Sequence, residues 1–324
     1  MDYLVTGATG FVGNNLVRTL LDKGQTVRVL VRKSSDSRPL EGLRVEQIVG
    51  DICSETDVKQ AICGCRHVIH AAASIAIGWQ GMEAARKINV EATEHIAAAA
   101  ADAGAKMVFV SSVDAMAPGS RSQPADEETP YRPKVPCTYV LTKREAELRV
   151  LDYVQQGLHA NIVNPGFMLG PFDWKPSSGR MLIDVATRFF PFAPPGGMSA
   201  CDVRDVVAAV VRASEIAPSG RRFVLAGHNV KFKKAWGLFS KQGGTRGPIS
   251  PFGPMVARAI GAIGDLRTRL TGVEREVNSA MLRMACMNHF YRSDRAIAEL
   301  DYHIRPLEET VGDAWQWFRE NNYV

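Results

Sequence analysis

The chain opens with Tyr3-Leu4-Val5-Thr6-Gly7-Ala8-Thr9-Gly10-Phe11-Val12-Gly13. Four residues of strand character precede three glycines, and an apolar repeat with helical spacing then continues to Gly24. Glycines at such a junction permit a tight turn and let a pyrophosphate approach backbone amides at the N-terminus of a helix. Because strand, glycine loop and helix follow one another directly, this stretch predicts a dinucleotide-binding βαβ unit.

Strands and helices alternate beyond this unit. Further strands are predicted over 26–31, 44–49, 67–70, 106–110, 160–163 and 222–225, with helices over 82–103, up to about 156, and over 202–213. This alternation predicts an α/β fold with a doubly wound parallel sheet of the Rossmann type. Five prolines make 167–197 loop-rich, at positions 171, 176, 191, 194 and 195. We therefore predict a cofactor domain over 1–166, joined by 200–227, and a smaller, mainly helical substrate lobe over 167–199 and 228–324.

Composition narrows the function classes. The 324 residues are 46% hydrophobic and 23% charged, which excludes disorder as the main state, and a net charge of +5 does not indicate nucleic-acid binding. Six cysteines without CxxC spacing predict reduced thiols, and seven histidines without HExxH spacing predict no metal site. Neither a leader peptide nor a long apolar segment is apparent, so a cytoplasmic protein is expected.

The end of the second strand predicts which dinucleotide binds. An NAD(H) site places Asp or Glu there to bind the ribose 2′-hydroxyl, whereas this chain has Arg32 and Lys33. Two cations suit a 2′-phosphate. NADP(H) is therefore the preferred cofactor, with NAD(H) as the alternative.

A second group of residues predicts carbonyl chemistry. Tyr139 and Lys143 lie four residues apart on one face of a helix, and Ser111-Ser112 end the fifth strand at the edge where open parallel sheets bind ligands. We predict that Ser112 holds a carbonyl oxygen and Tyr139 donates a proton to it. Lys143 is expected to lower the pKa of Tyr139, together with the oxidised nicotinamide, and to contact the cofactor ribose.

These motifs together resemble one family. TGATGFVG at 6–13, Asp51, HAAA at 70–73, Asn89-Val90, the serine pair and YxxxK at 139–143 are similar to the extended short-chain dehydrogenase/reductases. Within that family, Arg32, GPFDWKPSSG at 170–179 and SDRAIAELDY at 293–302 resemble the dihydroflavonol-4-reductase-like branch, which is itself similar to 3-beta-hydroxysteroid dehydrogenases.

The resemblance implies further cofactor contacts. It places Asp51 at the adenine, Ala71 and Ala72 along the cofactor, and Pro165 beside the nicotinamide. The full predicted cofactor set is Gly7, Thr9, Gly10, Phe11, Val12, Gly13, Arg32, Lys33, Asp51, Ile52, Ala71, Ala72, Ala73, Ser111, Tyr139, Lys143, Pro165 and Gly166. The family also implies a homodimer.

Substrate residues are predicted from loops above the same edge. The candidates are Ser74, Trp79, Asp114, Phe167 and Met168. His70, at a strand end, is interpreted as a packing residue. Because specificity resides in loops and in the variable lobe, the sequence does not name the substrate.

Positive charge concentrates in one segment. Residues 231–275 hold nine Lys or Arg against two acidic residues, and a helix beginning at Pro254 carries an apolar stripe that includes Val256, Ile263 and Leu270. Three interpretations stay open. The segment is a basic rim of the lobe, a cover for an anionic substrate, or a peripheral membrane contact for a lipid-like substrate.

The sequence thus predicts an NADPH-dependent oxidoreductase that interconverts a ketone and a secondary alcohol. A nucleotide-sugar epimerase or dehydratase is the alternative enzyme. A catalytically inactive, NADP-sensing binding protein is the alternative from another class.

Overall fold

The computed structural model describes residues 1–132 and 134–324. Its strands are β1 (Tyr3–Thr6), β2 (Val27–Val31), β3 (Glu46–Val49), β4 (His67–His70), β5 (Lys106–Val110), β6 (Ala160–Pro165), β7 (Phe167–Leu169), β8 (Phe192–Ala193), β9 (Gly197–Asp202), β10 (Arg222–Leu225), β11 (His228–Lys231) and β12 (Ser250–Pro251). Its α-helices are α1 (Phe11–Asp22), α2 (Glu55–Ile62), α3 (Met82–Arg86), α4 (Ala92–Asp102), α5 (Thr138–Gln155), α6 (Ser178–Thr187), α7 (Val203–Ile216), α8 (Phe232–Gln242), α9 (Pro254–Thr271), α10 (Ser279–Ala285), α11 (Asp294–Leu300) and α12 (Leu307–Glu320).

Seven parallel strands form the central sheet, in the order β10-β6-β5-β4-β1-β2-β3. The order reverses between β1 and β4, which are neighbours in space although β2 and β3 lie between them in sequence. At such a point, successive crossovers lie on opposite faces and leave a crevice at the carboxyl edge. The predicted doubly wound parallel sheet is confirmed.

Two hydrophobic cores cover the faces of this sheet. One includes α1 and α7, and Leu16, Val17 and Leu20 of α1 are fully buried against β1 and β2. The other joins α2, α4 and α5 to the opposite face. Helix α11 also packs against α7 and β10, so that Ala296 and Leu300 belong to the first core.

The helix predicted at 82–103 contains one irregular turn. Helices α3 and α4 are joined without a break by a π-turn over Lys87–Glu91. Such turns often occur at functional sites, because the extra residue redirects the side chains of the bulge. Asn89 lies within this turn and faces the segment after β4.

The prediction that 167–197 is irregular was wrong. The segment contains β7, α6 and β8, and β9 begins at its end. The five prolines flank α6 and do not interrupt it, and Leu182, Val185 and Ala186 of this helix enter a third hydrophobic core. That core also includes α8 and α12, with the small sheet β11-β9-β7 beside it. The mainly helical character of the C-terminal part is confirmed.

The described residues bear on membrane-spanning helices and on disulfide bonds. Over 1–132 and 134–324, no helix is both long and apolar enough to cross a membrane. All six cysteines are free thiols.

Candidate active site

The carboxyl edge of the sheet collects most of the predicted cofactor residues. Because the strands are parallel, the segments that follow β1 to β6 all emerge at this edge. In strand order from β1 to β6, these are the glycine loop, Arg32-Lys33, Asp51-Ile52, Ala71-Ala72-Ala73, Ser111-Ser112 and Pro165-Gly166. The sheet therefore brings together residues that lie far apart in the sequence.

The glycine loop is shaped by close backbone approaches. Gly7 has φ +71°, and a Cβ there would lie 2.7 Å from the amide nitrogen of Ala72. A Cβ on Gly13 would lie 2.1 Å from the carbonyl oxygen of Gly7. Gly10 is the N-cap of α1, and its N–H donates to that same carbonyl at 2.9 Å. The loop thus packs backbone on backbone and leaves α1 amides at its surface, which suits a pyrophosphate.

The segment after β4 is fixed by a buried hydrogen-bond chain. The hydroxyl of Thr6 lies 2.7 Å from Nδ1 of His70, and Nε2 of His70 lies 3.0 Å from the hydroxyl of Thr93. Burial is the main cause that lowers the pKa of His70 to about 3, and the charge of Lys143 adds to it. His70 is therefore neutral and structural, in agreement with its interpretation as a packing residue.

Asn89 ties this segment to α5. Its side chain accepts from the amide of Ser74 at 2.7 Å and donates to the carbonyl of Ser74 at 3.0 Å. It also donates to the hydroxyl of Thr142 at 2.9 Å. The backbone of Ser74 is thereby held against the helix that carries Tyr139 and Lys143.

The cations after β2 are exposed. Neither Arg32 nor Lys33 forms an ion pair with any residue that the structure describes, and the amide of Arg32 is engaged by the hydroxyl of Ser35 at 3.2 Å. Asp51 follows β3, one strand away, and its carboxylate accepts from the amide of Cys53 at 2.9 Å. Both positions therefore lie at the carboxyl edge of the sheet, on adjacent strands.

Ser112, Tyr139 and Lys143 converge at the end of β5. Tyr139 and Lys143 are 8% and 2% exposed, and both belong to the first turns of α5. The ammonium group of Lys143 donates to the carbonyl of Val110 at 2.8 Å and lies 4.5 Å from the ring centre of Phe109. The hydroxyl of Ser112 accepts from the amide of Asp114 at 3.1 Å. The predicted spacing on one helix face thus places both side chains beside the strand end.

Burial dominates the pKa of Tyr139. Burial raises this pKa well above its usual value, and the charge of Asp114 raises it further, whereas a hydrogen bond with Ser112 opposes the shift. Desolvation has this effect because it disfavours the charged phenolate and favours the neutral phenol. The chain alone therefore keeps Tyr139 protonated.

Glu147 supports Lys143 and was not singled out from the sequence. Burial lowers the pKa of Lys143 to about 8, and the negative charge of Glu147 opposes this shift. Glu147 is fully buried, accepts from the side-chain amide of Asn164 at 2.5 Å, and pairs with Arg222 at 2.9 Å. Glu147 could have been found from the sequence, because it lies four residues after Lys143 and therefore on the same face of the helix.

Asp114 participates in a buried ionic network. Its carboxylate lies 3.1 Å from Nζ of Lys134 and 3.5 Å from Nδ1 of His289. Burial alone would raise the pKa of Asp114, but the charge of Lys134 and the hydrogen bond with His289 lower it below its usual value. Nζ of Lys134 also donates to the carbonyl of Val113 at 2.8 Å. Sequence reasoning named Asp114 but missed both partners, because His289 belongs to a distant segment.

The other predicted substrate residues lie at different depths. Trp79 contacts α10, because its indole N–H donates to the hydroxyl of Ser279 at 2.9 Å. Phe167 and Met168 on β7 are half-buried. Ile77 and Met287, which the sequence did not single out, pack with the cluster that contains Tyr139. The hydroxyl of Ser111 is buried without a hydrogen-bond partner among the described residues.

The arrangement offers acid–base groups but no metal ligands. Within 1–132 and 134–324, no group of three or more His, Cys, Asp or Glu side chains could hold an ion. What the edge does offer is a hydroxyl, a buried phenol and a buried ammonium group beside a glycine cradle. Such a set can polarise and protonate a carbonyl oxygen.

Comparison with known proteins identifies relatives. The NAD dependent epimerase/dehydratase family matches residues 3–226. A putative dihydroflavonol 4-reductase of Synechocystis is 32% identical over 99% of this chain and 96% of its own length. Sterol demethylase protein B of Methylococcus capsulatus is 30% identical over the whole of both chains. Among solved structures, gox2253 superposes with a TM-score of 0.86 and 33% identity, covering 99% of this chain and 98% of that one.

Proposed function

Because this chain belongs to the NAD dependent epimerase/dehydratase family, and with it to the extended short-chain dehydrogenase/reductases, we propose that it reduces a ketone to a secondary alcohol with NADPH, or catalyses the reverse oxidation. The observation that carries the proposal is the buried phenol of Tyr139 at the carboxyl edge of the sheet, beside Ser112. A proton donor at this position fits carbonyl reduction.

In the proposed mechanism, each group has one task. The nicotinamide, when bound, supplies or accepts the hydride. The hydroxyl of Ser112 donates a hydrogen bond to the substrate oxygen, and the phenol of Tyr139 transfers its proton to that oxygen. The ammonium group of Lys143, which donates to the carbonyl of Val110 at 2.8 Å, offsets the negative charge left on the phenolate. Water is excluded because Tyr139 and Lys143 are buried.

We propose that residues 1–166 and 200–227 hold the cofactor and that 167–199 and 228–324 select the substrate. In this assignment, Gly7, Thr9, Gly10, Phe11, Val12 and Gly13 hold the pyrophosphate, Arg32 and Lys33 bind a 2′-phosphate, and Asp51 and Ile52 bind adenine. The nicotinamide half lies along Ala71, Ala72, Ala73, Ser111, Pro165 and Gly166, with Tyr139 and Lys143. The glycines at 7 and 13 support this assignment, because a side chain at either position would collide with the backbone that shapes the loop.

The substrate residues are proposed more narrowly. Ser74, Asp114, Phe167 and Met168 are proposed to contact the substrate. Ser74 and Asp114 belong to the segments that follow β4 and β5, and Phe167 and Met168 lie on β7. Trp79 is proposed to shape the substrate site by holding α10 in place, because its indole N–H donates to the hydroxyl of Ser279. The predicted homodimer stays a prediction.

Names of the relatives favour a reductase over the alternatives. The two relatives matched over nearly their full lengths are named for dihydroflavonol reduction and sterol demethylation, and a third, from Stigmatella aurantiaca, is named as a ketoreductase. The test is a screen that follows NADPH absorbance with steroid, flavonoid, 3-oxoacyl and nucleotide-sugar carbonyls. Oxidation of NADPH by one ketone panel supports the proposal. Redox-neutral conversion of a nucleotide sugar would instead support the epimerase.

We predict that Arg32→Asp reverses much of the cofactor preference. Loss of the cation facing the 2′-phosphate weakens NADPH binding by roughly a hundredfold, whereas NADH binding changes little. Fluorescence titration of both cofactors measures the change. Arg44→Asp is the matched control, since Arg44 is also exposed but lies before β3, at the opposite edge of the sheet. Equal affinity of the wild type for both cofactors would refute the preference.

We also predict a pH limit set by Lys143. Its pKa is about 8, so the ammonium group loses its proton as the pH rises through that value, and the rate of reduction falls there. Glu147→Gln removes the negative charge that raises this pKa and therefore shifts the falling limb to lower pH. Glu145→Gln is the control on the same helix, because Glu145 pairs with Arg86 at the surface. If the rate falls at the same pH in Glu147→Gln as in the wild type, Glu147 does not raise the pKa of Lys143 and the prediction is wrong.

A further inference from the structure

Helix α9 packs against the protein with its small residues. Ala257, Gly261 and Thr268 are the buried positions of this helix. A Cβ on Gly261 would lie 2.9 Å from Cα of Ser279, and one on Gly264 would lie 2.2 Å from the carbonyl oxygen of Val277. The backbone of α9 therefore lies directly on α10 and the segment before it. The apolar stripe predicted from the sequence is not the face that packs.

The opposite face of α9 is apolar and exposed. Met255 is 80% exposed, Ile263 67% and Leu270 78%. Together with Val256, Ala259, Ile260 and Leu266, they form one surface, here called the α9 face. At 100° per residue, its centre lies about opposite the buried positions. A contiguous apolar surface of this kind marks an interaction site.

Arginines border the α9 face on both sides. Arg258 and Arg269 lie along one border and Arg267 along the other, and all three are exposed. None of the three is paired with a carboxylate among the residues that the structure describes. The one acidic residue of the helix, Asp265, is turned toward α10, where it accepts from the amide of Ser279 at 3.0 Å.

We propose that the α9 face docks on the surface of an anionic lipid bilayer. A helix with a broad apolar face and flanking cations lies in the membrane interface, with its apolar side chains among the acyl chains and its arginines at the phosphates. Pairing with a second copy through the same face is disfavoured, because a two-fold contact would bring like charges together with no carboxylate between them.

The α9 face is connected to the candidate active site. Glu274, three residues after α9, accepts from the amide of Trp79 at 2.9 Å, and Asn278 donates to the carbonyl of Ile77 at 2.9 Å. Helix α10, on which α9 lies, packs Ala280 and Met284 into the cluster that contains Tyr139. Docking would thus place the wall of the site next to the lipid. If the proposed reductase function holds, on which this step rests, its ketone is an apolar molecule dissolved in the membrane.

Vesicle co-sedimentation of the full chain tests the docking. We expect the wild type to sediment with vesicles of equal parts phosphatidylcholine and phosphatidylglycerol at low ionic strength, and much less with phosphatidylcholine alone. The triple variant Ile263→Glu/Leu266→Glu/Leu270→Glu should bind these vesicles more weakly by over roughly a hundredfold. It replaces three apolar side chains by carboxylates, which the negatively charged lipids repel. Arg258→Gln/Arg267→Gln/Arg269→Gln should lose roughly a hundredfold on anionic vesicles.

The control variant is Ile297→Glu, which changes an exposed apolar residue on α11 and should bind vesicles as the wild type does. NADPH affinity, measured for every variant, reports folding independently of lipid. Wild type that stays in the supernatant with anionic vesicles would overturn the proposal. So would a glutamate variant that keeps vesicle binding, or one whose main effect is to convert a dimer into a monomer in light scattering.

A second measurement separates this proposal from the reductase function. Vesicle binding requires no turnover, so it can succeed where every ketone fails. The glutamate variant is assayed with two ketones that the enzyme accepts, one apolar and presented in anionic vesicles, the other soluble in water. It should lose activity with the apolar ketone and retain activity with the water-soluble one. Equal losses on both ketones would contradict the link between the α9 face and the site.

Discussion

Tyr139→Phe is expected to lower kcat/KM for ketone reduction by about 10²–10⁴-fold, the usual contribution of a positioned general acid. The substitution removes only the phenolic oxygen, and Tyr139 is buried in an apolar cluster that accommodates a phenyl ring. NADPH affinity should therefore stay near that of the wild type. Initial-rate kinetics and a fluorescence titration of NADPH measure the two quantities.

The matched control is Tyr153→Phe, on the same helix but outside the predicted site. It should retain wild-type rates. Undiminished turnover by Tyr139→Phe would refute the proposed mechanism. The comparison also separates an enzyme from an NADP-sensing protein, since a sensor does not depend on the proton donor.

Gly13→Ala is expected to damage both cofactor binding and stability. In an ordinary helix, alanine would be favoured over glycine by about 1 kcal/mol. At this position the added Cβ would lie 2.1 Å from the carbonyl oxygen of Gly7, so the loop or the helix has to move. We expect the free energy of unfolding to fall by roughly 1–3 kcal/mol, as for other overpacked sites. Because the loop geometry changes, the folded protein itself should bind NADPH more weakly, beyond any loss caused by a smaller folded fraction.

Gly237→Ala is the control for this experiment. Gly237 lies within α8, and nothing lies within 4 Å of a Cβ built there. This variant should gain stability by up to about 1 kcal/mol, since only helix propensity changes. Urea unfolding of both variants gives the comparison. A Gly13→Ala protein as stable as the wild type, with the same NADPH affinity, would show that the loop tolerates a side chain.

The sequence predicted those features of the fold that depend on short stretches of the chain. The glycine loop, the parallel strands and the spacing of Tyr139 and Lys143 all depend on short stretches, and the fold confirms the strands. Helix α6 was missed because its flanking prolines suggested loops, although prolines outside a helix only limit its length. The burial that raises the pKa of Tyr139 was not apparent from the sequence either, since Ala280 and Met284 of α10 contribute to it.

Long-range partners were the other limit. Lys134 meets Asp114 and His289 only because the segment before α5 and the segment after α10 converge at the end of β5. On α9, hydrophobic periodicity identified the apolar stripe but did not show whether it faces the protein or the solvent. The small residues Ala257 and Gly261 permit close backbone contact with α10, and this packing, which no hydrophobic scale records, leaves the large side chains outside.

Helix α11 bears on how this chain folds during synthesis. Ala296, Leu300 and Tyr302 complete the core between the central sheet and α7, and the hydroxyl of Ser293 accepts from the amide of Ala226 at 2.8 Å. A nascent chain that ends after β10 therefore exposes apolar surface on α7 and β10. The core between the central sheet and α7 therefore closes only after α11 has left the ribosome, and until then this apolar surface is open to chaperones.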